Sequence, residues 1–418
     1  MNKHILIIVL LISVLFGQHS HAQELEELFK EASENNPGLQ AKYKMFEAAL
    51  ERIPQTNTLE DPVFSMGYFI SPVETRVGPQ MMRFSLSQMF PWFGTLKAQG
   101  DEAALMAEAN FHAFIEARNK LFYEIASAYY PLYELEQWRR YEEDNLSILN
   151  SYKRIVSAKY ENNEGTMVDI LRLDIEIKDA KTRLSLLNKK KKPLTAKLNQ
   201  LVNRDISKEI HIQDSLALLP ETEPVLKDSI LANNPVLKEL KYKTEAGKAR
   251  EIAAEKQGLP KLGVGLDYVI VNERPDITMP DNGKNILMPM VSFSIPVYRK
   301  KYKAAKREAQ LLQESYELQR EDYSNRLLAD YEMIVFEVEQ QIEFIELYNE
   351  QIETTEQSLN LLLRAYSNSG NDFEEVLRMQ QKILTYKKLR AKALTEYHIT
   401  LEKLNYLTAK ERTNDTKE

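Results

Sequence analysis

The sequence has 418 residues, enough for two or three ordinary domains or for one elongated one. Charged residues make up 28% and the formal net charge is -7, so no overall basic balance points to nucleic acid as a partner. The complete lack of cysteine excludes disulfides, thiolate chemistry, cysteine-ligated zinc and an N-terminal lipid on cysteine.

The first 22 residues have the form of an export signal. Lys3 and His4 precede an apolar run from Ile5 to Phe16, and Ser20-His21-Ala22 places small residues where a signal peptidase reads them. The run is shorter than the roughly 20 apolar residues that a membrane-spanning helix needs. We therefore expect a signal peptide at residues 1–22 and a mature chain that begins near Gln23. Because no later segment is apolar enough for a membrane helix, any membrane contact is expected to be made by strands.

The chain repeats itself with a period of about 200 residues, which indicates an internal duplication. Asn35-Asn36-Pro37 recurs as Asn233-Asn234-Pro235. Later matches are Tyr160 with Tyr366 and Leu171-Arg172 with Leu377-Arg378. Each repeat has an amphipathic helix interrupted at Asn-Asn-Pro, then a pair of strands, then a helical hairpin with two long arms. We place the repeats at residues 23–217 and 218–418.

Period-two alternation of apolar and polar residues predicts the strands. They are expected at about residues 62–72, 80–90, 261–272 and 286–295. Ser71-Pro72 and Gly78-Pro79 supply the predicted turns of the first pair. Apolar residues such as Leu266 fall on one face and small or polar residues such as Asp267 on the other. This pattern is typical of strands with lipid on one side and water on the other.

A helical pattern begins near Thr95 and runs without a turn signal to Glu161. The arms of both repeats carry heptads of apolar residues, which indicates coiled-coil packing. In the second repeat one seam is formed by Tyr331, Val338, Ile345, Ile352, Leu359 and Tyr366. An arm of about 65 residues is expected to be on the order of 100 Å long. Pro131 is expected to kink the first arm.

Four strands of about ten residues have the length of tilted membrane strands but cannot close a barrel, which takes at least about eight. An open edge in lipid leaves backbone groups unpaired. The predicted fold is therefore mainly α with a membrane β-barrel contribution that is completed by trimerisation, since three copies of four strands give about twelve. The alternative is a soluble antiparallel sheet packed on the coiled coil.

The duplicated order and the junction Ser87-Gln88-Met89-Phe90-Pro91-Trp92-Phe93-Gly94 resemble the TolC-like outer-membrane factors of tripartite efflux and type I secretion systems. The hairpin turns at Tyr160–Leu171 and Tyr366–Leu377 are similar to those of the family, as is the segment Leu198–Asn203. The resemblance covers essentially the whole mature chain. The run from Gln88 to Gly94 looks most like the branch that serves heavy-metal cation pumps (CusC- or CzcC-like).

The resemblance implies a homotrimer in the outer membrane, with a twelve-stranded β-barrel continuous with a long α-helical barrel across the periplasm. It implies a periplasmic adaptor protein, an inner-membrane pump of the RND type and outer-membrane lipid as partners. The duct would export small molecules passively, heavy-metal cations among them, with no enzymatic chemistry and no cofactor. A soluble periplasmic coiled-coil scaffold or adaptor is the alternative function.

By the same resemblance, the hairpin turns lie at the periplasmic end of the duct. Asp169 and Glu375 occupy matching positions and are predicted to line a periplasmic aperture, where carboxylates would attract cations. Arg378 stands where some relatives carry a second acidic residue, so we expect it to hold a neighbouring helix by an ion pair. Solvated charge on an exposed turn is the alternative.

Four residues of the turns are predicted to contact the adaptor: Gly165, Thr166, Ser369 and Gly370. The reversal of the chain explains the two glycines equally well.

Five aromatic residues near strand ends are predicted to lie at the membrane interface: Tyr68, Trp92, Phe93, Tyr268 and Tyr298. Core packing is the alternative for them. Methionines near the strands suggest either soft-metal contacts or the filling of apolar surface. The histidines of the mature chain lack ligand spacing, and no phosphate loop or nucleophile motif occurs. No metal site, cofactor site or catalytic residue is therefore predicted.

Overall fold

The computed structural model describes residues 23–219, 227–276, 278–369 and 373–410. The predicted signal peptide and Gly370 lie outside these residues. The described residues are mostly helical with a small antiparallel sheet, as predicted. In chain order the elements are α1 (Gln23–Asn35), α2 (Pro37–Thr56), β1 (Val63–Thr75), β2 (Gly78–Phe90), α3 (Thr95–Glu161), α4 (Met167–Val202), α5 (Lys227–Asn233), α6 (Pro235–Gln257), β3 (Leu262–Val271), β4 (Ile286–Phe293), α7 (Arg299–Ser369) and α8 (Phe373–Thr408).

The chain divides into two compact units, each of which draws on both predicted repeats. Unit 1 takes the described residues up to Ala41, then Ile115–Asn234, then those from Ser324 onward. Unit 2 is Lys42–Phe114 together with Pro235–Tyr323. Unit 1 therefore contains most of the hairpin arms, and unit 2 contains the sheet with the helix segments that adjoin it.

The arms within unit 1 pack around a shared apolar core. Its members come from α3, α4, α7 and α8: Leu149, Tyr152, Val156, Leu173, Ile177, Ala180, Leu359, Tyr366, Phe373, Val376, Leu377 and Ile383. The predicted seam of the second repeat is confirmed: Tyr331, Ile345, Ile352, Leu359 and Tyr366 are buried, and Val338 is partly buried against the cluster that contains Ile345. A leucine or isoleucine side chain contributes roughly 1.5–3 kcal/mol to stability when it is fully buried.

Helix α3 is continuous through Pro131, and the kink expected there stays a prediction. Proline removes one backbone hydrogen bond from a helix interior. Its neighbours Tyr129, Tyr130, Leu132 and Tyr133 are all buried, and their packing offsets part of the free-energy cost of that lost hydrogen bond.

A buried carboxylate ties three of the arms together. Glu142 on α3 is fully buried. Its Oε1 accepts a hydrogen bond from Arg183 Nε on α4 at 3.0 Å and pairs with Lys388 on α8. Burying a charge without partners is costly, so this cluster favours one axial alignment of the three helices.

The duplicated Asn-Asn-Pro segment has the same structural role in both repeats. The side-chain amide of Asn36 donates to the Leu201 carbonyl at 2.8 Å, and that of Asn234 donates to the Leu407 carbonyl at 3.4 Å. Each asparagine therefore holds the far end of its own repeat's returning arm. Asn36 also accepts from the Leu39 backbone N–H at 3.0 Å, as a helix N-cap does. The helix interruptions predicted at these segments are confirmed.

The four strands form one antiparallel sheet in the order β1-β2-β3-β4. The hairpins β1–β2 and β3–β4 were expected from the sequence. The central pairing of β2 with β3 joins the two repeats, with Phe84 opposite Tyr268 and Ser85 opposite Asp267.

The turn predicted at Ser71-Pro72 is wrong, because β1 runs on to Thr75 and the chain reverses at Arg76 and Val77. The pairing of β1 with β2 shifts register between Tyr68 and Val73, so Pro72 lies in an irregular part of the strand. A proline in such a bulge does not interrupt a ladder hydrogen bond, which is why the strand can pass through it.

Candidate functional site

One face of the sheet is apolar and open to the surroundings. Its side chains project from all four strands and are 37–68% exposed: Phe64, Met66, Tyr68, Leu86, Leu262, Val264, Leu266, Tyr268, Leu287, Val291 and Phe293. Soluble proteins rarely expose a contiguous apolar surface of this extent, which marks a face for lipid or for another protein.

The opposite face of the sheet is more polar and is partly covered by its own side chains. Asp267 is fully buried there. It accepts a hydrogen bond from Ser85 Oγ at 2.5 Å and forms an ion pair with Arg83. Glycines at 263 and 265 leave room for the side chains of Met89 and Met290. The sheet thus separates an apolar face from a more polar one, as the alternation predicts.

The five aromatic residues singled out in the sequence fall at two levels along the strands. Tyr68 and Tyr268 lie on the apolar face. Trp92 and Phe93 lie between the end of β2 and the start of α3, and Tyr298 lies between the end of β4 and the start of α7. Tyr268 pairs with Phe84, six residues before the end of β2 at Phe90, which places the two levels about 20 Å apart. All five are exposed, so packing within this chain does not account for them.

The hairpin turn of the first repeat is capped by Thr166. Its side chain accepts a hydrogen bond from the Asp169 backbone N–H at 3.3 Å, and its hydroxyl donates to the Asp169 carboxylate at 2.7 Å. Arg172 lies 3.7 Å from Asp169 and forms a 2.8 Å ion pair with Glu374 on α8. Asp169 is therefore largely enclosed, with only 14% of its side chain exposed.

The ion pair between helices is made by Arg172 rather than by Arg378. Arg378 pairs with Glu375 on its own helix, one turn away. Positions three apart face each other on a helix, so this local pair forms without help from a neighbour. The duplicated Leu-Arg dipeptide, which matches Arg172 to Arg378, was the available sequence signal for Arg172.

Lys159 and Tyr366 form a second link between the hairpins. The Lys159 ammonium donates to the Tyr366 carbonyl at 2.9 Å and lies 4.6 Å from the centre of its ring. Burial, with a smaller effect of Asp169, raises the pKa of Tyr366. Nothing in the sequence pattern distinguished Lys159 from other surface lysines.

The left-handed residue of the first turn is Asn163, with φ of 60°, and not Gly165. Asparagine tolerates this conformation because its short side chain bonds locally. At Gly165 a Cβ atom would meet the Tyr160 backbone nitrogen at 3.2 Å, so glycine serves close approach there. Ser369 is the last residue of α7.

Among the described residues, no group of three or more His, Asp or Glu side chains is placed to hold a metal ion. No helix in the described part of the chain combines the length and apolar character needed to cross a membrane.

Comparison with solved structures identifies the fold. The chain is similar to the outer membrane protein VceC from Vibrio cholerae, with 15% identity, a TM-score of 0.75, and coverage of 92% of this chain and 96% of that one. It is similar to CusC, described in work on transmembrane channel formation, with 14% identity, a TM-score of 0.76 and 92% coverage of each chain. The outer-membrane channel OprN matches at 15% identity and a TM-score of 0.74, over 93% of this chain and 90% of that one.

No protein-family model and no curated protein matches the sequence. The structural matches differ little in identity or TM-score, so none of them selects a branch. Each of these matches covers nearly the whole chain. The long helical hairpins and the four antiparallel strands of this chain are consistent with all of them. The chain therefore has the fold of these outer-membrane channels.

Proposed function

We propose that this chain is the outer-membrane duct of a tripartite efflux system. The observation that carries the proposal is the open apolar face of the sheet in a chain with an outer-membrane channel fold. Exposing such a face costs less free energy in lipid than in water, because the transfer of apolar surface from water into an apolar environment is favourable.

The working form is a homotrimer. Among the described residues β1 and β4 each pair on one side only, and unpaired strand edges are costly in lipid. Three copies joined edge to edge would close a barrel of about twelve strands and remove every edge. The five exposed aromatics would lie at its two interfaces with water.

The hairpin turns would then form the periplasmic end. Asp169, Glu375 and Arg378 are proposed to line the aperture, and Gly165, Thr166, Ser369 and Gly370 to meet an adaptor protein that bridges to an inner-membrane pump of the RND type. The links Arg172–Glu374 and Lys159–Tyr366 join the two hairpins of one copy. Transport would be passive, with energy supplied by the pump.

We further propose that the exported substrates are heavy-metal cations. This assignment rests on the similarity of the run from Gln88 to Gly94 to the branch that serves heavy-metal cation pumps. A deletion strain tests it against copper, silver, zinc and cobalt salts alongside dyes, bile salts and antibiotics. Sensitivity to the metal salts is expected. Sensitivity confined to the organic compounds would remove this assignment and leave the duct proposal standing.

Membrane fractionation and native mass measurement test the duct itself. We expect the mature chain in the outer-membrane fraction, as a trimer in mild detergent that conducts ions in a planar bilayer. Recovery as a soluble periplasmic monomer would instead support the alternative, a coiled-coil scaffold or adaptor.

A further inference from the structure

Unit 2 contains a cleft of about 630 Å³ that none of the roles proposed above uses. All four helix segments of the unit line it, α2, the start of α3, α6 and the start of α7. These segments are held side by side by contacts that include Phe46 with Phe111 (ring centres 5.3 Å apart), His112 with Tyr242 (5.3 Å) and Gln310 with Glu251 (2.9 Å). The volume is within the range of pockets that bind small organic molecules, roughly 300–1,000 Å³.

The wall of the cleft is apolar over much of its area. Small side chains, Ala48 and Ala103, leave the space open, and Met106, Leu312 and Tyr316 border it. Alanine and methionine surfaces of this kind accept apolar ligand bodies of varied shape, since methionine adapts by rotation about three bonds.

The charged groups at the cleft are three cations and one carboxylate: Arg52, Lys243, Arg250 and Glu102. Lys243 forms an ion pair with Glu239 on its own helix, at a distance of 2.5 Å. Arg250 pairs with Glu308, but both side chains are substantially exposed, and exposed pairs of this kind are held weakly. Arg52 is exposed and forms no ion pair within the part of the chain that the structure describes.

Glu102 is poorly suited to hold a cation. Burial raises the pKa of Glu102, and the nearby charges of Arg250 and Arg52 only partly offset that effect. A cationic ligand would meet one carboxylate against two guanidinium groups, whereas an anionic ligand would gain two donors that match its oxygen atoms in fork geometry.

We propose that this cleft binds an amphiphilic organic anion, with its apolar body against Ala48, Ala103 and Leu312 and its acidic group between Arg52 and Arg250. The site is built within unit 2 of a single chain, so the proposal does not depend on trimer formation or on export.

Titration calorimetry on the full chain in a neutral detergent tests the proposal. The probe is naphthalene-2-sulfonate, and its matched control is 2-naphthylmethylammonium, which carries the same apolar body and the opposite charge. Saturable binding of the sulfonate is expected, with no saturable binding of the ammonium. Equal affinity for the two, or no saturable binding of the sulfonate, would overturn the proposal.

Three substitutions locate the site. Arg52→Ala and Arg250→Ala should each weaken sulfonate binding roughly tenfold, as expected for loss of a charged hydrogen bond. Ala48→Trp, at an exposed position, should fill the cleft and abolish binding without removing a charge. Arg299→Ala, an exposed arginine at the start of α7 outside the cleft, should bind as the parent does. Unchanged affinity in Arg52→Ala and Ala48→Trp would place the ligand elsewhere and sink the assignment.

Discussion

His398 on α8 lies in the packed part of unit 1. Its ring stacks on Tyr130 with centres 5.1 Å apart, and its Nε2 is 3.0 Å from the Ala217 carbonyl oxygen. Burial lowers the pKa of His398 from 6.5 to about 4, although the hydrogen bond to the carbonyl acts in the opposite direction. The ring is therefore neutral in the folded chain at pH values where an unfolded histidine is charged.

Stability should fall as the pH drops through this window. Between about pH 6.5 and 4 the unfolded chain binds a proton that the folded chain does not, so acid favours unfolding, by about 3 kcal/mol in total. His398→Gln keeps a donor for the Ala217 carbonyl and cannot titrate. Urea unfolding at pH 7 and pH 4.5 should show a smaller loss of stability for the variant than for the parent. An equal loss would mean that other groups dominate the acid response.

Asn234 is the buried member of the duplicated asparagine pair. Asn234→Ala should lower the free energy of unfolding by about 1–3 kcal/mol, because the Leu407 carbonyl loses its buried donor. Asn36→Ala should cost about 0.5–2 kcal/mol as a lost helix cap. Asn162→Ala, in the exposed hairpin turn, is the control and should change little. Thermal unfolding measures all three, and a neutral Asn234→Ala would refute this role for the motif.

At the scale of elements, the two faces of β1 provide a matched test of the membrane proposal. Met66 lies on the apolar face and Ser65 beside it on the polar face, and both are exposed. An arginine facing the middle of a bilayer costs about 2–4 kcal/mol. Met66→Arg should therefore reduce the amount of chain that folds into phosphatidylcholine vesicles, while Ser65→Arg should not. Equal effects of the two variants, measured by protection from protease, would contradict a lipid-facing role.

The sequence predicted features that depend on neighbouring residues, but it did not predict contacts between segments that are far apart in the chain. Heptads predicted the buried positions of α7, and alternation predicted the two faces of the strands, since both follow from a fixed residue period. The β2–β3 pairing and the Arg172–Glu374 link join segments about 200 residues apart, which no local pattern can specify. The turn predicted at Pro72 was wrong because a strand can accommodate a proline at a bulge, although not within a regular hydrogen-bonded ladder.

At the scale of the whole molecule, the exposed apolar side chains of the arms concentrate on two helices. On α4 they are Met167, Val168, Leu171, Ile175 and Leu186, and on α7 they are Met333, Phe336, Phe344, Leu347 and Leu361. Helix α8 has no large apolar side chain of comparable exposure among its described residues. In the proposed trimer, a closed ring of identical chains, two different surfaces would meet at each interface. We expect α4 of one copy to meet α7 of the next.

Single charges on these two surfaces should separate the copies. Ile175→Glu or Leu361→Glu should shift the purified protein from trimer towards monomer, because an unpaired carboxylate would be buried at the interface. Lys192→Glu, on an exposed part of α4, is the control and should leave the trimer intact. Native mass measurement in detergent gives the distribution. A stable trimer in both glutamate variants would exclude this pairing of surfaces.

The bond between Ser85 and Asp267 spans 182 positions of the chain. During synthesis β2 is made long before β3, so the first hairpin exists for a time with an exposed apolar face and with both of its outer strand edges unpaired. Contacts between residues so far apart in the chain form slowly, and in the meantime the unpaired strands of different molecules associate with one another. Refolding yield should therefore fall steeply with protein concentration, and a chain exported before folding would need a holding chaperone until its second half arrives.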